Sequence, residues 1–385
     1  MERLIPRLLQ LKHQSIFLFG PRGTGKTTFL RSHFPKALWI DLLDHELFRS
    51  LSARPERMVE LVRAREPGAT VIIDEVQKLP ELLEAVHSLI EEKKDWQFIM
   101  TGSSARKIKR SSADLLGGRA IRMTMHPFMA SELGKKFDLN SALNHGMLPV
   151  IFGSKDKEQS LKAYVSLYLR EEVQMEGLVR NIGNFSRFLE AISFSHGSVL
   201  NISNVARECA VERKVVEGYI SILEDLLIAN RLQVFTKRAN RATITHPKFY
   251  FFDSGVFRAI RPAGPLDKPS EIDGAALEGL VAQHLLSWNG YTGNKHTLSY
   301  WRTRSGSEVD FVLYGPEVFF AVEVKHSAKV QPKDVAALET FHTEYPECKT
   351  YFLYRGKEKL KIKNTLCMPV EEFLMKFNPG QKLAI

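Results

Sequence analysis

The sequence predicts an α/β fold with a parallel sheet in its first part, a helical middle part and a small α/β part at its end. Before residue 126, short apolar segments with strand composition alternate with helical segments, as in a parallel sheet covered on both faces. From about residue 141 the spacing of apolar residues becomes helical. A segment rich in proline and glycine, from Arg261 to Ser270, separates this helical part from a last group of strands and helices.

The first part is predicted to contain four strands and two helices. Its first apolar run is predicted to be a buried strand rather than a signal peptide, because it is short and lacks a small-residue cleavage site. The alternating pattern ends at His126–Pro127. The predicted strands are Ser15–Phe19, Ala37–Ile40, Thr70–Asp74 and Trp96–Thr101, and the predicted helices are Lys26–Ser32 and Pro80–Glu92.

The middle part is predicted to be helical and to end in a winged helix-turn-helix. Lys157–Val179 has helical apolar spacing. Ser203 is a plausible N-cap for a short helix, and Val211–Leu227 is predicted to form a longer helix after a tight link. The strand-like segments Arg231–Phe235 and Lys248–Phe252 flank a basic turn. Two helices followed by a hairpin is the order of a winged helix-turn-helix.

The last part is predicted to form a small α/β domain. Its elements, in order, are a helix, three strands, a second helix and a further strand: Gly274–Trp288, His296–Arg302, Glu308–Tyr314, Val318–Lys325, Lys333–Phe341 and Lys349–Tyr354. A length of 385 residues favours two or three domains. The predicted domains cover residues 1–135, 136–262 and 263–385.

Positive charge is concentrated in two segments of a chain whose formal net charge is +10. Residues 101–125 contain six Lys and Arg against one acidic residue, and residues 231–261 contain seven against one. Such clusters favour a polyanionic partner, either nucleotide phosphates or a nucleic-acid backbone; the alternative is an ordinary solvated surface. The cations are Arg106, Lys107, Lys109, Arg110, Arg119 and Arg122 in the first cluster, and Arg231, Lys237, Arg238, Arg241, Lys248, Arg258 and Arg261 in the second.

Composition argues against several other classes of protein. A hydrophobic content of 44% with 25% charged residues is typical of a folded, soluble chain. No apolar run approaches the roughly 20 residues of a membrane helix, so no membrane contact is expected. Cys209, Cys348 and Cys367 lie far apart and suggest neither a metal site nor a disulfide framework, so a cytoplasmic location is expected.

One segment matches a phosphate-binding motif in full. Gly20-Pro-Arg-Gly-Thr-Gly-Lys-Thr27 has the pattern G-x-x-x-x-G-K-[ST], with a predicted strand before it and a predicted helix after it. Lys26 is predicted to reach the β- and γ-phosphates of ATP, and the Thr27 hydroxyl to ligate Mg²⁺. The alternative is a chance glycine-rich turn. The predicted nucleotide contacts are Gly20, Pro21, Arg22, Gly23, Thr24, Gly25, Lys26, Thr27 and Thr28.

Two adjacent acidic residues end the most apolar predicted strand. Asp74 is predicted to bind the water shell of the Mg²⁺ ion, and Glu75 to polarise the water that attacks ATP. Burying two adjacent carboxylates at the end of a strand costs folding free energy unless a metal ion or other partners bind them. Combined with the loop 50 residues upstream, the pair predicts ATP hydrolysis.

Two further candidates follow the last strand of this part. Ser103 or Ser104 could sense the γ-phosphate, or instead cap a helix. Arg119, in Leu116-Gly-Gly-Arg119, could reach a phosphate bound by a neighbouring copy of the chain, or be an ordinary surface arginine.

Four segments resemble the prokaryotic AAA-superfamily ATPases of the archaeal-ATPase type. They are Gly20–Thr27, IIDEVQKLP (Ile72–Pro80), TGSSAR (Thr101–Arg106) and LLGGR (Leu115–Arg119). YFFDSGV (Tyr250–Val256) and VEVKHS (Val322–Ser327) resemble landmarks of DUF4143, the domain of unknown function that usually forms the carboxyl half of these proteins. The resemblance implies an ATPase core, a helical and winged-helix middle and a nuclease-like end.

The last part also resembles the core of the PD-(D/E)xK nucleases, which are related to restriction endonucleases. Glu278 is on a predicted helix, Asp310 on a strand, and Glu323-Val-Lys325 ends the next strand with Glu323 and Lys325 on one face. Asp310 and Glu323 are predicted to hold Mg²⁺ or Mn²⁺ with Glu278 as an outer ligand, and Lys325 to orient or activate water. The alternatives are a solvent-facing ion pair, and a nuclease-derived fold that only binds.

These patterns predict an ATPase that acts on DNA, with a carboxyl-terminal domain that cuts or grips it. The alternative is a non-nucleolytic, ATP-switched protein that regulates a protein partner. A P-loop kinase is a weaker third class, because Asp74 and Glu75 suit water activation. The expected partners are ATP or ADP, Mg²⁺, DNA and, through Arg119, other copies of the chain.

Overall fold

The computed structural model describes residues 4–104, 117–175, 179, 181–236 and 246–381. The chain divides into two compact units. The first unit contains Leu9–His126 and Asp225–Leu227, and the second contains Met1–Leu8, Pro127–Glu224 and Ile228–Ile385.

A five-stranded parallel sheet forms the centre of the first unit, with strand order β2-β3-β4-β1-β5. The predicted parallel sheet is therefore confirmed. Its elements are β1 (Ser15–Phe19), α1 (Lys26–His33), β2 (Leu38–Asp41), α2 (His45–Ala53), α3 (Glu56–Arg63), β3 (Thr70–Asp74), α4 (Leu82–Glu91), β4 (Gln97–Gly102) and β5 (Ala120–Thr124), with a 3₁₀ turn at Val76–Lys78.

Both faces of this sheet are buried, as the near-continuous apolar strands predict. Phe17, Val71 and Phe98 belong to one large core cluster with the apolar faces of α3 and α4. Ile16 and Ile72, which point to the opposite face because side chains alternate along a strand, are also fully buried.

Strand β5 was not among the predicted strands. It pairs in parallel with β1, at the edge of the sheet, and its residues are only partly buried. An edge strand of this kind can contain a charged residue such as Arg122, so it lacks the apolar run that identified β1 and β3. Helices α2 and α3 were also not predicted.

The second unit contains a helical region, a three-stranded antiparallel sheet and a six-stranded mixed sheet. Its helices are α5 (Ala130–Leu133), α6 (Leu139–His145), α7 (Pro149–Phe152), α8 (Lys157–Ala163), α9 (Arg170–Met175), α10 (Ile182–Ser193), α11 (Ile202–Cys209), α12 (Arg213–Asp225), α13 (Ser254–Ile260), α14 (Pro269–Tyr291), α15 (Ala336–Glu344) and α16 (Val370–Lys376). Its strands are β6 (Ser198–Val199), β7 (Ala229–Leu232), β8 (Lys248–Phe251), β9 (Thr297–Arg302), β10 (Glu308–Gly315), β11 (Val318–Lys325), β12 (Lys349–Tyr354), β13 (Leu360–Ile362) and β14 (Thr365–Pro369).

The six-stranded sheet has the order β13-β14-β12-β11-β10-β9. Strands β9, β10 and β11 pair antiparallel, whereas β12 is parallel to both β11 and β14. The predicted order of a helical middle part followed by a part with a mixed sheet is therefore confirmed. The middle part also contributes to this sheet's core through Phe235, which packs with Trp301 and Phe341. The predicted boundary at residue 262 thus lies inside one compact unit.

The continuous helix predicted over Lys157–Val179 is interrupted. Helix α8 ends at Ala163, a π-helical turn covers Tyr164–Leu169, and α9 continues to Met175.

The N-cap of α11 is Asn201, whose side chain accepts a hydrogen bond from the Asn204 N–H at 3.1 Å. Ser203 lies inside the helix, so its predicted capping role is wrong. Asparagine and serine are both good caps, so spacing alone did not separate them.

The acidic residue of the YFFDSGV segment has a structural role. Asp253 is fully buried and caps α13, accepting hydrogen bonds from the N–H of Val256 at 3.0 Å and of Met147 at 2.7 Å. Burial raises the pKa of this carboxyl to about 6, although these donors oppose the rise. Gly146 has a φ of 76°, and a Cβ there would collide with Asp253. The contact therefore requires a glycine at position 146.

Within the described ranges, no helix combines the length and the apolar character needed to cross a bilayer.

Candidate functional site

The loop between β1 and α1 depends on glycines at three positions. Gly23 and Gly25 have φ values of 84° and 85°, in the left-handed region that favours glycine. Thr24 folds back on the loop and donates from both its N–H and its hydroxyl to the Pro21 carbonyl. A Cβ on Gly20 would lie 2.4 Å from the Met125 carbonyl oxygen, so this position also requires glycine.

Lys26, the first residue of α1, is buried against the same loop. Its ammonium donates to the carbonyl oxygens of Gly20 at 2.7 Å and of Pro21 at 3.4 Å. No side chain caps the amino end of α1, which begins directly after Gly25. The positive end of a helix and an ammonium group thus face one loop, an arrangement that suits phosphate oxygens. Arg22 and Thr28 are the exposed members of the predicted set.

The predicted metal-binding pair lies next to this loop. The Thr27 hydroxyl donates to Oδ2 of Asp74 at 2.9 Å. The Asp74 carboxylate is 2% exposed, and its other oxygen accepts a hydrogen bond from the Thr101 hydroxyl at the end of β4. A hydroxyl and a carboxylate are oxygen ligands of the kind Mg²⁺ takes beside nucleotide phosphates, so these residues fit that ion.

The backbone turns sharply at Glu75, the residue that follows Asp74. Its φ is 61°, in the left-handed region, which turns the chain sharply after β3. Its N–H donates to the Thr101 hydroxyl oxygen at 3.1 Å, so Thr101 bonds to both acidic residues. A non-glycine residue in this conformation costs roughly 1 kcal/mol, and such strain is often found at functional sites.

A buried amide connects Glu75 to the predicted sensor. Gln77 donates from Nε2 to Glu75 Oε2 at 2.5 Å and to Ser103 Oγ at 3.2 Å. Ser103 and Ser104 are both buried. The Gln77 Oε1 atom is buried and has no hydrogen-bond partner among the described residues.

Sequence reasoning missed Thr101 and Gln77. Both lie within the segments that supported the family resemblance, but neither matches a named motif position. The available signal was register: β4 pairs in parallel with β3, so a polar residue at its carboxyl end lies beside Asp74.

Arg119 lies apart from this group within one chain. It immediately precedes β5, whose first residue pairs with Ser15 at the start of β1, whereas the loop follows the end of β1. The two positions are thus at opposite ends of the sheet. Its guanidinium pairs with Glu91 at 2.7 Å. A role on a neighbouring copy stays a prediction.

A second polar cluster lies in the second unit. The side chain of Lys248, at the start of β8, is 2% exposed. Its ammonium contacts Glu278 at 3.1 Å, Glu308 at 2.7 Å and Asp310 at 2.9 Å. Burial alone lowers the pKa of Lys248, but the negative groups around it outweigh that effect and raise the pKa well above its usual value. Lys248 was predicted only as one member of a basic cluster.

The four residues predicted for a nuclease site separate into two environments. Glu278, Asp310 and Glu323 interact, and burial together with the Asp310 charge raises the pKa of Glu278 to about 7 and that of Glu323 well above its usual value. Lys325 is half exposed and pairs with Asp334 at 2.5 Å. Its ammonium is therefore already paired with an acid that was not among the residues predicted for this site.

The metal-binding role predicted for these carboxylates stays a prediction. In the described part of the chain, no group of three or more His, Cys, Asp or Glu residues is arranged to hold a metal ion. The position between Glu278 and Asp310 is filled by the Lys248 ammonium. The predicted ligands thus lie close together, but the cation that contacts two of them is a lysine ammonium.

The members of the second basic cluster that the structure describes are paired with nearby acids. Besides Lys248, Arg231 pairs with Glu224 at 2.6 Å, Arg258 with Asp273, and Arg261 with Asp267 at 2.9 Å. Lys237, Arg238 and Arg241 lie outside the described residues, as do Arg106, Lys107, Lys109 and Arg110 of the first cluster.

Three family models match consecutive parts of the chain. Residues 12–134 match an AAA domain, residues 136–267 a domain of unknown function (DUF8612), and residues 273–373 a second domain of unknown function (DUF4143). The chain therefore contains a P-loop domain of the AAA class, followed toward its carboxyl end by a DUF4143 domain. These two parts of the predicted resemblance are confirmed, and its nuclease-like part stays a prediction. The AAA match implies nucleotide binding and an ATPase-type domain.

The solved structures similar to the chain include two proteins of Aeropyrum pernix. The Aeropyrum pernix ORC2 protein, solved as ADPNP and ADP complexes, has 11% identity and a TM-score of 0.35, covering 71% of this chain and 89% of that one. The Aeropyrum pernix ORC1 protein, solved in complex with DNA, has 15% identity and a TM-score of 0.30, covering 65% and 87%. Scores of this size do not establish a shared function. No curated protein matches the chain.

Proposed function

We propose that the chain is a Mg²⁺-dependent ATPase whose nucleotide cycle controls what the rest of the chain binds. The observation that carries this proposal is the hydrogen bond between the Thr27 hydroxyl and Asp74, made at the edge of the sheet beside the loop that holds Lys26. These groups are the oxygen ligands and the cation that a nucleotide triphosphate with Mg²⁺ requires.

Each residue of the site has a distinct task in this proposal. Backbone N–H groups of the loop face the phosphates, except at Pro21, which has none, and at Thr24, whose N–H is bonded to the Pro21 carbonyl. Lys26 exchanges its loop carbonyls for phosphate oxygens when nucleotide binds. Thr27 and Asp74 hold Mg²⁺, directly or through its water shell. When bound, this ion neutralises phosphate charge and orients the terminal phosphate.

Glu75 is proposed to accept a proton from the attacking water. Gln77 and Thr101 position it, because they bond to its carboxylate and to its backbone N–H respectively. Ser103 shares the Gln77 amide, so a change at the γ-phosphate can reach Glu75 through this hydrogen bond. This supports a role for Ser103 in sensing nucleotide state.

Removing the metal is expected to stop hydrolysis. With purified chain and ATP, phosphate release should require Mg²⁺ or Mn²⁺ and fall to background in excess EDTA, because phosphate charge is then no longer neutralised. Asp74→Asn should shift the Mg²⁺ dependence to higher concentration. Hydrolysis that continues unchanged in EDTA would contradict the assignment of Thr27 and Asp74 as metal ligands.

A second proposal, action on DNA, is supported by the order of elements in the second unit. Helix α10, strand β6, helices α11 and α12, and strands β7 and β8 follow one another, and the three strands form one antiparallel sheet. This is the order of a winged helix-turn-helix. The paired arginines of the second cluster argue the other way, because a cation already paired with a carboxylate contributes less to phosphate binding.

Salt dependence separates DNA from a protein partner. If the middle part grips DNA, affinity for a labelled duplex should fall steeply with salt and show little sequence preference, because phosphate contacts release counterions. Neutralising Lys237, Arg238 and Arg241 together should flatten the salt dependence, whereas neutralising the already paired Arg231 should not. Absence of binding at low salt would favour a protein partner controlled by the nucleotide cycle.

A further inference from the structure

Lys248 is held in the interior of the second unit by acidic residues from two other elements. Glu278 comes from α14, and Glu308 and Asp310 from β10. All three contacts are between 2.7 and 3.1 Å, and the lysine side chain is 2% exposed. An ammonium group has three N–H donors and no acceptor, so one carboxylate for each donor is a complete set of partners.

Two of these carboxylates also accept hydrogen bonds from donors other than Lys248. Tyr250, two residues after Lys248 on β8, donates its hydroxyl to Glu278 Oε1 at 2.6 Å. The second oxygen of Asp310 accepts the Val324 N–H from β11 at 2.9 Å. The carboxylates therefore face donors of the protein on several sides.

A divalent cation requires a different arrangement. Mg²⁺ takes oxygen ligands at about 2.0–2.1 Å in a near-octahedral set and usually keeps several waters. Here the central position belongs to a lysine nitrogen at hydrogen-bond distances, and the described part of the chain offers no group of carboxylates arranged for a metal. The chemistry of the cluster thus suits one ammonium better than one metal ion.

We propose that the ammonium of Lys248 is the resident cation of this carboxylate cluster, in place of a divalent metal. The cluster then fastens β8 to α14 and β10, so it joins the three-stranded sheet to the six-stranded sheet. The DUF4143 domain accordingly has no metal-dependent phosphodiesterase site here, and Lys325 has no catalytic part. This proposal does not depend on the nucleotide site, which lies in the other unit.

Manganese binding tests the first half of the proposal. Mn²⁺ binding to the full chain without nucleotide is measured by electron paramagnetic resonance, in an Asp74→Asn background that weakens the other metal site. Replacing Asp310 with Asn should then leave Mn²⁺ binding unchanged, because no metal uses that residue. A Mn²⁺ ion that binds this background and is lost in the Asp310→Asn protein would overturn the proposal, as would Mn²⁺-dependent nicking of DNA that Asp310→Asn removes.

Thermal unfolding tests the second half. Lys248→Ala removes the one cation that contacts all three carboxylates in the described residues, leaving Arg302 paired with Glu308 alone. It should lower the unfolding midpoint of the second unit by on the order of 10 °C. The matched control is Lys325→Ala, which removes a half-exposed lysine paired with one acid and should shift the midpoint little. Equal midpoints for the Lys248→Ala and wild-type proteins would overturn the fastening role. Should Lys248→Ala not fold, Lys248→Met keeps the side-chain length without the charge and gives the same comparison.

Discussion

Replacing Glu75 with Gln is expected to slow ATP hydrolysis by roughly 10²–10⁴-fold, the range that a positioned general base contributes. Gln keeps the size of the side chain and can still bond to Gln77, but it cannot take a proton from water. Because Asp74 and Thr27 are untouched, nucleotide affinity should stay close to that of the wild type. Single-turnover hydrolysis and binding of a fluorescent ATP analogue measure the two quantities separately.

The matched control for this change is Glu84→Gln, on an exposed position of α4 in the same unit. It makes the same chemical replacement away from the loop and should hydrolyse ATP at the wild-type rate. A Glu75→Gln protein as active as this control would show that another group activates the water.

Replacing Lys26 with Ala is expected to have the largest effect on nucleotide binding. A charged hydrogen-bond donor contributes about 1.5–3 kcal/mol, so affinity for ATP should fall by roughly 10- to 100-fold. The loop should survive, because its turns depend on Gly23, Gly25 and Thr24 rather than on the ammonium. Equilibrium titration with ATP and with ADP provides the measurement.

Lys36→Ala is the control for this variant, because Lys36 is an exposed lysine just after α1. It removes an equal charge from the same unit without touching the loop. If the Lys26→Ala and Lys36→Ala proteins bound ATP equally well, Lys26 would not face the phosphates as proposed.

Much of the first unit could be predicted because its signals are local. Strand β3 is predicted at the observed bounds, and the loop before α1 follows from glycines that permit left-handed backbone. The contact between Thr27 and Asp74 also follows, since the carboxyl ends of parallel strands lie at the same edge of a sheet and only β4 separates β1 from β3. The positioning role of Gln77 does not, because it depends on a turn after Glu75 that no motif describes.

The second polar cluster could be predicted only in part, for a physical reason. Order along the chain identified Glu278, Asp310 and Glu323 as neighbours, and the structure brings them together. It did not identify the lysine, because Lys248 belongs to a strand of the preceding region and reaches the cluster only when β8 packs against α14 and β10. Lys325 was the lysine nearest in sequence to Glu323, but its ammonium pairs with Asp334.

The way Lys248 is held also constrains how such a chain can change over generations. The lysine and two of its acidic partners are 30 and 62 positions apart, in segments that match two different family models. A chain that lost the lysine alone would leave Glu278 and Asp310 without the cation that contacts them, and one that lost the acids alone would bury an unpaired ammonium. The lysine and its acidic partners are thus expected to change together. Replacing one of the two segments with that of a relative requires replacing the other as well.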